Sequence, residues 1–134
     1  GKFTSARATE ATMFGRTKVF SSYSVDDIAA ARTFYSEVLG LSVSDQAGPL
    51  MLHAGDQTVL IYAKPNHTPA TFTVLNFDVD DIDNAVNELT AQGVRMERYE
   101  EIDTDQRGIY YGDGRSIAWF TDPAGNVLSV VQFK

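Results

Sequence analysis

The hexapeptide Tyr-Ser-Val-Asp-Asp-Ile at residues 23–28 returns as Phe-Asp-Val-Asp-Asp-Ile at residues 77–82. Both copies run through a stretch of helical periodicity and reach a glycine, Gly40 in the first half and Gly93 in the second. Two copies are too few for a solenoid, which needs about three repeats to bury its core. The repeat therefore predicts two modules that pack on each other, and ligand sites commonly form where such modules meet.

Each copy of the repeat is predicted to join a strand to a helix. Residues 17–25 and 71–79 alternate with a period of two, which is typical of a strand with one face on a core. Tyr23 and Phe77 lie on the more apolar face, which we expect to pack under the helix. Asp26 or Asp27 is placed to cap the first helix, and acidic residues suit a first helical turn.

Further short strands complete each half of the chain. They are predicted near residues 41–44, 50–54 and 58–63 in the first half, and 94–98, 108–111, 116–121 and 127–133 in the second. Gly55 and Asp56 form the expected hairpin turn between two of them. The fold class is therefore α+β, built from two βαβββ modules.

The domain organisation follows from length and from one proline-rich stretch. A chain of 134 residues is expected to form one domain. We predict an N-terminal tail over residues 1–16 and a single domain over residues 17–134. Within that domain, module one covers residues 17–64, a linker covers 65–70, and module two covers 71–133. His67 lies between the linker prolines and is expected to be solvated.

Composition narrows the possible partners. The net charge of −7 opposes binding to a phosphate backbone, so we expect no nucleic-acid partner. It favours a cationic ligand, although acidity also serves solubility. No apolar run approaches the roughly 18 residues of a membrane span. The chain has no cysteine, which removes disulfides and thiolate metal sites and suits a cytoplasmic location.

Three phrases carry a resemblance to a known family. They are Val-Asp-Asp-Ile at residues 25–28 and 79–82, Phe-Tyr-Ser-Glu-Val-Leu-Gly-Leu at 34–41, and Trp-Phe-Thr-Asp-Pro-Ala-Gly-Asn at 119–126. Over residues 17–133 the chain resembles the vicinal oxygen chelate superfamily, which includes glyoxalase I, extradiol dioxygenases, fosfomycin-resistance enzymes and bleomycin-resistance proteins. The resemblance implies the glyoxalase/bleomycin-resistance fold, in which the sheets of paired modules curl around a shared cleft.

The resemblance also implies the positions at which a metal ion would be bound. Enzymes of the family bind a divalent ion with His, Glu or Gln at four cleft-facing strand positions, two in each module. The matching positions in this chain are Phe20, Ile61, Val74 and Ser129. None of the four supplies an imidazole or a carboxylate. We therefore expect neither a metal site nor a cofactor.

The remaining cleft residues are inferred from strand alternation and from residue chemistry. The face opposite the helices combines polar and apolar side chains, and the last strands add aromatic rings suited to stacking on a planar ligand. The predicted ligand-binding cleft contains Phe20, Ser22, Ser24, Ile61, Val74, Asn76, Asp78, Tyr111, Trp119 and Ser129. The aromatic residues fit a core role equally well. The acidic residues between 97 and 105 fit either a solvated surface or a rim that attracts cations.

Three functional hypotheses remain open. The first is a metal-free homodimer that binds an organic, cationic or aromatic small molecule, as bleomycin-resistance proteins do, and is not an enzyme. The second is a lyase, isomerase or dioxygenase-like enzyme with atypical or no metal ligands, using His53, Asp78 or Tyr110 in acid–base chemistry. The third is an interaction module with a vestigial cleft. The modules could pair within one chain or across a dimer.

Overall fold

Each half of the chain folds as one strand, one helix and three strands, in agreement with the predicted α+β class. The computed structural model describes residues 13–45 and 48–134. The first module contains β1 (Ser21–Val25), α1 (Ile28–Thr33), β2 (Ser42–Asp45), β3 (Leu50–Ala54) and β4 (Gln57–Ala63). The second contains β5 (Thr73–Asp78), α2 (Ile82–Ala91), β6 (Ile109–Gly112), β7 (Arg115–Thr121) and β8 (Val127–Phe133). Helix α1 continues directly into a π-helical turn, Phe34–Val38.

The two sheets share one topology. Their strand orders are β1-β4-β3-β2 and β5-β8-β7-β6. In each sheet the leading strand pairs in parallel with the last strand of its module, and the remaining pairs are antiparallel. Parallel pairing requires a crossover, which the helix of each module supplies. Each helix therefore packs on one face of its own sheet and leaves the other face open.

The repeated phrase forms the start of both helices. Asp27 accepts hydrogen bonds from the backbone N–H groups of Ala29 (3.0 Å) and Ala30 (3.1 Å). Asp81 accepts one from Asn84 N at 3.1 Å. These carboxylates satisfy N–H groups that have no partner inside the helix. The predicted capping role is confirmed, and the second aspartate of each copy performs it.

A single hydrophobic core joins the helix sides of the two modules. Tyr23 and Phe77 pack against it, as predicted, and Tyr35 and Phe120 are fully buried within it. The π-helical turn of the first module lies beside α2 and the helix-side face of the second sheet, where Val38 and Phe77 line the same cavity. The modules of one chain therefore meet through their helical layers.

The predicted strand over residues 94–98 is wrong. Only Glu97 makes a strand-like contact, a single bridge to Trp119. Strand β6 pairs with β7 no further than Ala118, so Glu97 takes the next pairing position along β7 and the chain then turns away. Most of the tail predicted over residues 1–16 lies outside the described residues, and residues 13–16 form an exposed helical turn. No helix in residues 13–45 and 48–134 is long and apolar enough to cross a membrane.

Candidate functional site: two open sheet faces

The open face of the first sheet is rich in hydroxyl groups. Strand register pairs Ser22 with Leu60 and Ser24 with Tyr62, while the alternate positions Val25 and Ile61 point into the core. The same alternation in β2 and β3 brings Ser44 beside Met51. We call this surface the serine-rich face; it comprises Ser22, Ser24, Ser44, Met51, His53, Leu60 and Tyr62.

The open face of the second sheet is dominated by larger side chains. Trp119 pairs with Ser129 and Ile117 with Val131, whereas their neighbours Phe120 and Ala118 are fully buried on the helix side. We call this surface the aromatic face; it comprises Asn76, Asp78, Tyr110, Arg115, Ile117, Trp119, Ser129 and Val131.

A cavity of about 350 Å³ opens on the aromatic face. Its floor comes from β6 and β7, and its wall from the loop that follows α2; the lining residues are Glu101, Ile102, Asp103, Tyr110, Arg115, Ile117 and Trp119. Glu97 N donates to the Trp119 carbonyl at 2.8 Å, which anchors the loop to β7. The Tyr99 ring meets the Trp119 ring edge-on, with centroids 5.8 Å apart. One side of the indole is therefore fixed, and the ring can present a stable surface to a ligand.

Tyr110 reaches across a glycine to line the cavity. A Cβ atom added at Gly112 would lie 2.6 Å from the Tyr110 Oη atom and 3.0 Å from Cζ. Contacts this short are not tolerated, so any larger residue at position 112 would displace the phenol. Gly112 thereby sets the position of the Tyr110 ring.

Asp105 holds the base of the same loop. Its Oδ1 atom accepts hydrogen bonds from Arg107 N (2.8 Å) and Ile109 N (2.9 Å), and its Oδ2 atom accepts one from Tyr111 Oη (3.1 Å). Desolvation acts to raise the pKa of the Asp105 carboxyl, but these hydrogen bonds and the nearby Arg107 guanidinium together hold that pKa below its ordinary value.

The open faces contain most of the residues predicted from alternation. Ser22, Ser24, Asn76, Asp78 and Trp119 all lie on them. Phe20 precedes β1 and is exposed. Ser129 is also on the aromatic face, but its neighbours cover it fully and its hydroxyl donates to Asn76 Oδ1 at 2.5 Å.

Three predicted cleft positions require correction. Ile61 has no exposed surface and belongs to the core, because β4 turns Leu60 and Tyr62 outward instead. Tyr111 shares its strand parity with buried Ile109, so it lies on the helix side of the sheet and bonds to Asp105. Val74 lies at an irregularity in β5 and packs against the core.

The three candidate catalytic residues do not lie close together within the chain. His53 is exposed on the serine-rich face, where its Nε2 atom lies 3.0 Å from the Ser44 hydroxyl. Asp78 and Tyr110 lie on β5 and β6, the opposite edges of the second sheet. Sequence reasoning missed Arg115 and Ile117 as cavity residues, although both share the parity of Trp119 along β7.

The residues present do not fit the metal of the resembling enzymes. Of the four corresponding positions, Phe20 and Val74 have no donor atom, Ile61 is in the core, and the Ser129 hydroxyl is bonded to Asn76. In the part of the chain that the structure describes, no three His, Asp or Glu side chains cluster in a way that could hold a metal ion. The side chains that replace the ligands are chemically unsuited to the task.

A second polar cluster joins the two modules. Buried Asp122 accepts hydrogen bonds from Tyr35 Oη (2.8 Å), Ala124 N (3.0 Å), Asn126 N (2.8 Å) and Asn126 Nδ2 (3.1 Å). Burial raises the pKa of Tyr35 above its ordinary value, so its phenol stays protonated and remains a donor. This cluster, which we call the junction, brings together the phrases at residues 34–41 and 119–126.

His67 also belongs to the junction. The prediction that this residue is solvated is wrong, because both of its ring nitrogens form hydrogen bonds within the protein. Its Nε2 atom donates to the Ala124 carbonyl at 3.1 Å, which leaves Nδ1 to accept from the Ser24 hydroxyl at 2.7 Å. Asn126 Nδ2 also donates to the Ser24 carbonyl at 2.9 Å. The linker histidine therefore joins the end of β1 to the turn between β7 and β8.

Family comparison agrees with this architecture. The model of the Glyoxalase/Bleomycin resistance protein/Dioxygenase superfamily matches residues 18–130, and the chain belongs to that superfamily. No functionally curated protein matches the chain.

Solved structures share the fold at low identity. A glyoxalase family protein from Enterococcus faecalis is 22% identical with a TM-score of 0.68, over 88% of this chain and 98% of that one. TnmS3, an antibiotic binding protein from Streptomyces sp. CB03234, is 24% identical with a TM-score of 0.68, over 89% and 98%. The fosfomycin resistance protein FosX from Mesorhizobium loti is 12% identical with a TM-score of 0.63, over 89% and 93%. These likenesses establish the fold alone.

Proposed function

We propose that the chain is a binding protein that holds an organic small molecule on its aromatic face without a metal ion. The cavity at Trp119 carries this proposal. Its volume of about 350 Å³ lies in the range of small-molecule sites, which combine apolar walls with a few polar groups. Trp119 and Ile117 offer apolar contact, and Tyr110 adds a second aromatic ring.

Charge favours a cationic group on the ligand. Glu101 and Asp103 line the cavity and face a single arginine, Arg115. The whole chain carries a net charge of −7, so its field attracts cations before they reach the site. A cation placed over an indole or phenol ring gains further stabilisation. The ligand class is therefore a planar or aromatic molecule with a positive group.

The residues at the positions that hold metal in related enzymes favour ligand binding over catalysis. Phe20, Val74 and Ser129 replace metal ligands with two apolar side chains and a covered hydroxyl. The antibiotic binding protein with a similar fold is a precedent for this use of the scaffold. His53, Asp78 and Tyr110 lie too far apart in strand order to act on one substrate within the chain. Binding accordingly has more support than a lyase, isomerase or dioxygenase activity.

A second copy of the chain would complete the site. Because the modules pack through their helical layers, both open faces lie on the outside of the chain, and β1 and β5 are edge strands. Aromatic rings near these strands are exposed: Phe20 (59%), Phe72 (68%) and Phe133 (62%). Exposed sheet edges and apolar patches favour pairing between chains. We infer a homodimer in which the serine-rich face of one protomer closes over the aromatic face of its partner.

The single tryptophan allows a direct test. Its fluorescence is titrated with planar aromatic cations, such as acridinium and quinolinium compounds, and with neutral analogues of the same shape, in the presence of EDTA. The proposal predicts saturable quenching by the cations, weaker quenching by the neutral analogues, and no effect of the chelator. Binding that required an added divalent ion would contradict it, as would turnover of a compound that binds.

A further inference from the structure

A separate cavity of about 790 Å³ lies on the helix side of the second module. Its walls come from Asn87 and Thr90 of α2 and from the loop that follows, including Arg95, Arg98 and Arg107. None of its lining residues belongs to the aromatic face. We propose that this arginine cavity binds a small organic anion with two or three negative charges, a phosphorylated or polycarboxylate compound.

The charge of the cavity opposes that of the chain. The sequence holds 11 basic and 18 acidic residues, yet three arginines line this one cavity and no aspartate or glutamate does. Like charges that share a site raise each other's energy, and a bound anion removes that cost. Asp83 forms an ion pair with Arg107 from outside the lining, so Arg95 and Arg98 supply the positive charge that remains to attract an anion.

Two of the guanidinium groups are already held in place. Arg107 donates from Nη1 to Asn87 Oδ1 at 3.2 Å and forms an ion pair with Asp83 through Nη2. Arg98 donates from Nη2 to the Asp105 carbonyl at 2.5 Å. An arginine has five N–H donors, so each keeps donors for a ligand. Because their rotamers are fixed beforehand, binding an anion costs less conformational entropy.

The hydrogen bonds described above give Arg98 and Arg107 a structural role. Among the residues described by the structure, no such contact explains the presence of Arg95 in the cavity. Arg95 is exposed, and across residues 13–45 and 48–134 the ion pairs are Arg32 with Asp45 and Arg107 with Asp83. Arg95 and Glu97 line a neighbouring groove without forming an ion pair. A third cation beside two others, with no carboxylate bound to it, is the feature that points to an external anion.

The remaining walls suit an anion with an organic body. Val94 and Met96 give the cavity an apolar portion, while Thr90 and Gln106 offer hydrogen-bonding groups. Planar guanidinium groups match the oxygens of phosphates and carboxylates in pairs. The volume is that of a drug-sized ligand.

Calorimetry with pyrophosphate and with citrate, at low ionic strength, tests the site. The wild-type protein is compared with Arg95→Gln and with Arg16→Gln, which removes the same charge from an exposed residue outside the cavity. At least one probe should bind the wild type with one site per chain, and Arg95→Gln should raise its Kd about tenfold. Arg16→Gln should leave the Kd unchanged.

Comparison of the two probes separates a phosphate site from a carboxylate site. Thermal unfolding of each variant checks that the substitutions leave the fold intact. The proposal fails if neither probe binds the wild type. It also fails if Arg95→Gln and Arg16→Gln weaken binding equally, because the attraction would then belong to the surface as a whole.

Discussion

The junction and the aromatic face use polar residues in opposite ways. In the junction, both oxygens of the buried Asp122 carboxylate are bonded to Tyr35 and to the turn that contains Asn126. On the aromatic face, Glu101, Asp103 and Arg115 line an open cavity beside Trp119. The recognisable sequence phrases therefore specify how the modules assemble, whereas the residues that line the ligand cavity, apart from Trp119, lie between those phrases. Substitutions in the two regions should separate stability from binding.

Asp122→Ala should have the largest effect, and it should fall on stability. The substitution leaves buried donors of Tyr35 and Asn126 without an acceptor, at a cost of about 3 kcal/mol in the free energy of unfolding. Denaturant unfolding measures this loss. Tyr35→Phe is the milder companion: it removes the hydrogen bonds of the phenol with Asp122 and with Tyr23 Oη but leaves Asp122 bonded to the turn, so it should cost about 2 kcal/mol. A loss for Asp122→Ala no larger than that for Tyr35→Phe would contradict this view of the junction.

Trp119→Ala should have the next largest effect, on binding. Buried aromatic anchors contribute about 2 kcal/mol, so the Kd for a cationic aromatic ligand should rise roughly 30-fold. Calorimetry measures this change, since the variant loses the fluorescent reporter. Phe14→Ala, which removes an exposed aromatic ring that lies on neither open face and does not line the cavity, is the control. Equal losses from both variants would contradict the assignment of ligand contact to Trp119.

Gly112→Ala should produce a smaller change in binding. The added methyl group forces the Tyr110 ring away from its position over the strand. Loss of one aromatic contact should weaken binding roughly three- to tenfold. The end of the Tyr110 side chain can move aside, so the unfolding midpoint should change little. Gly114→Ala, at a turn outside the cavity, provides the contrast: its φ of +79° predicts a loss of stability with unchanged binding.

The smallest expected effect is that of acid, which should destabilise the loop that forms the cavity wall. The lowered pKa of Asp105 means that its contribution to loop stability is present above the unfolded pKa and disappears as pH falls through the folded one. Trp119 emission should therefore change below about pH 4, the ordinary range of a carboxyl group, before the fold is lost. Asp105→Asn should show the altered emission already at neutral pH. Identical acid titrations of the variant and the wild type would refute the role of Asp105.

Sequence patterns predicted the modules and part of the aromatic face. Strand bounds at 50–54 and 127–133 match the structure, and a turn containing glycine follows the first strand and precedes the second. The resemblance placed Ile61 at the cleft, but the apolar run around it left no alternation that could have corrected the register. Parity was misjudged at Tyr111, since it follows another tyrosine. The junction role of His67 depends on a partner 57 residues away, which no local pattern reveals.

Native mass spectrometry of protein purified without chelator reports the oligomeric state, bound metal and ligand uptake together. We expect a dimer that carries no divalent metal and that takes up a cationic aromatic compound, with uptake greatly reduced in Trp119→Ala. A stoichiometric metal ion whose removal abolished ligand uptake would contradict this expectation.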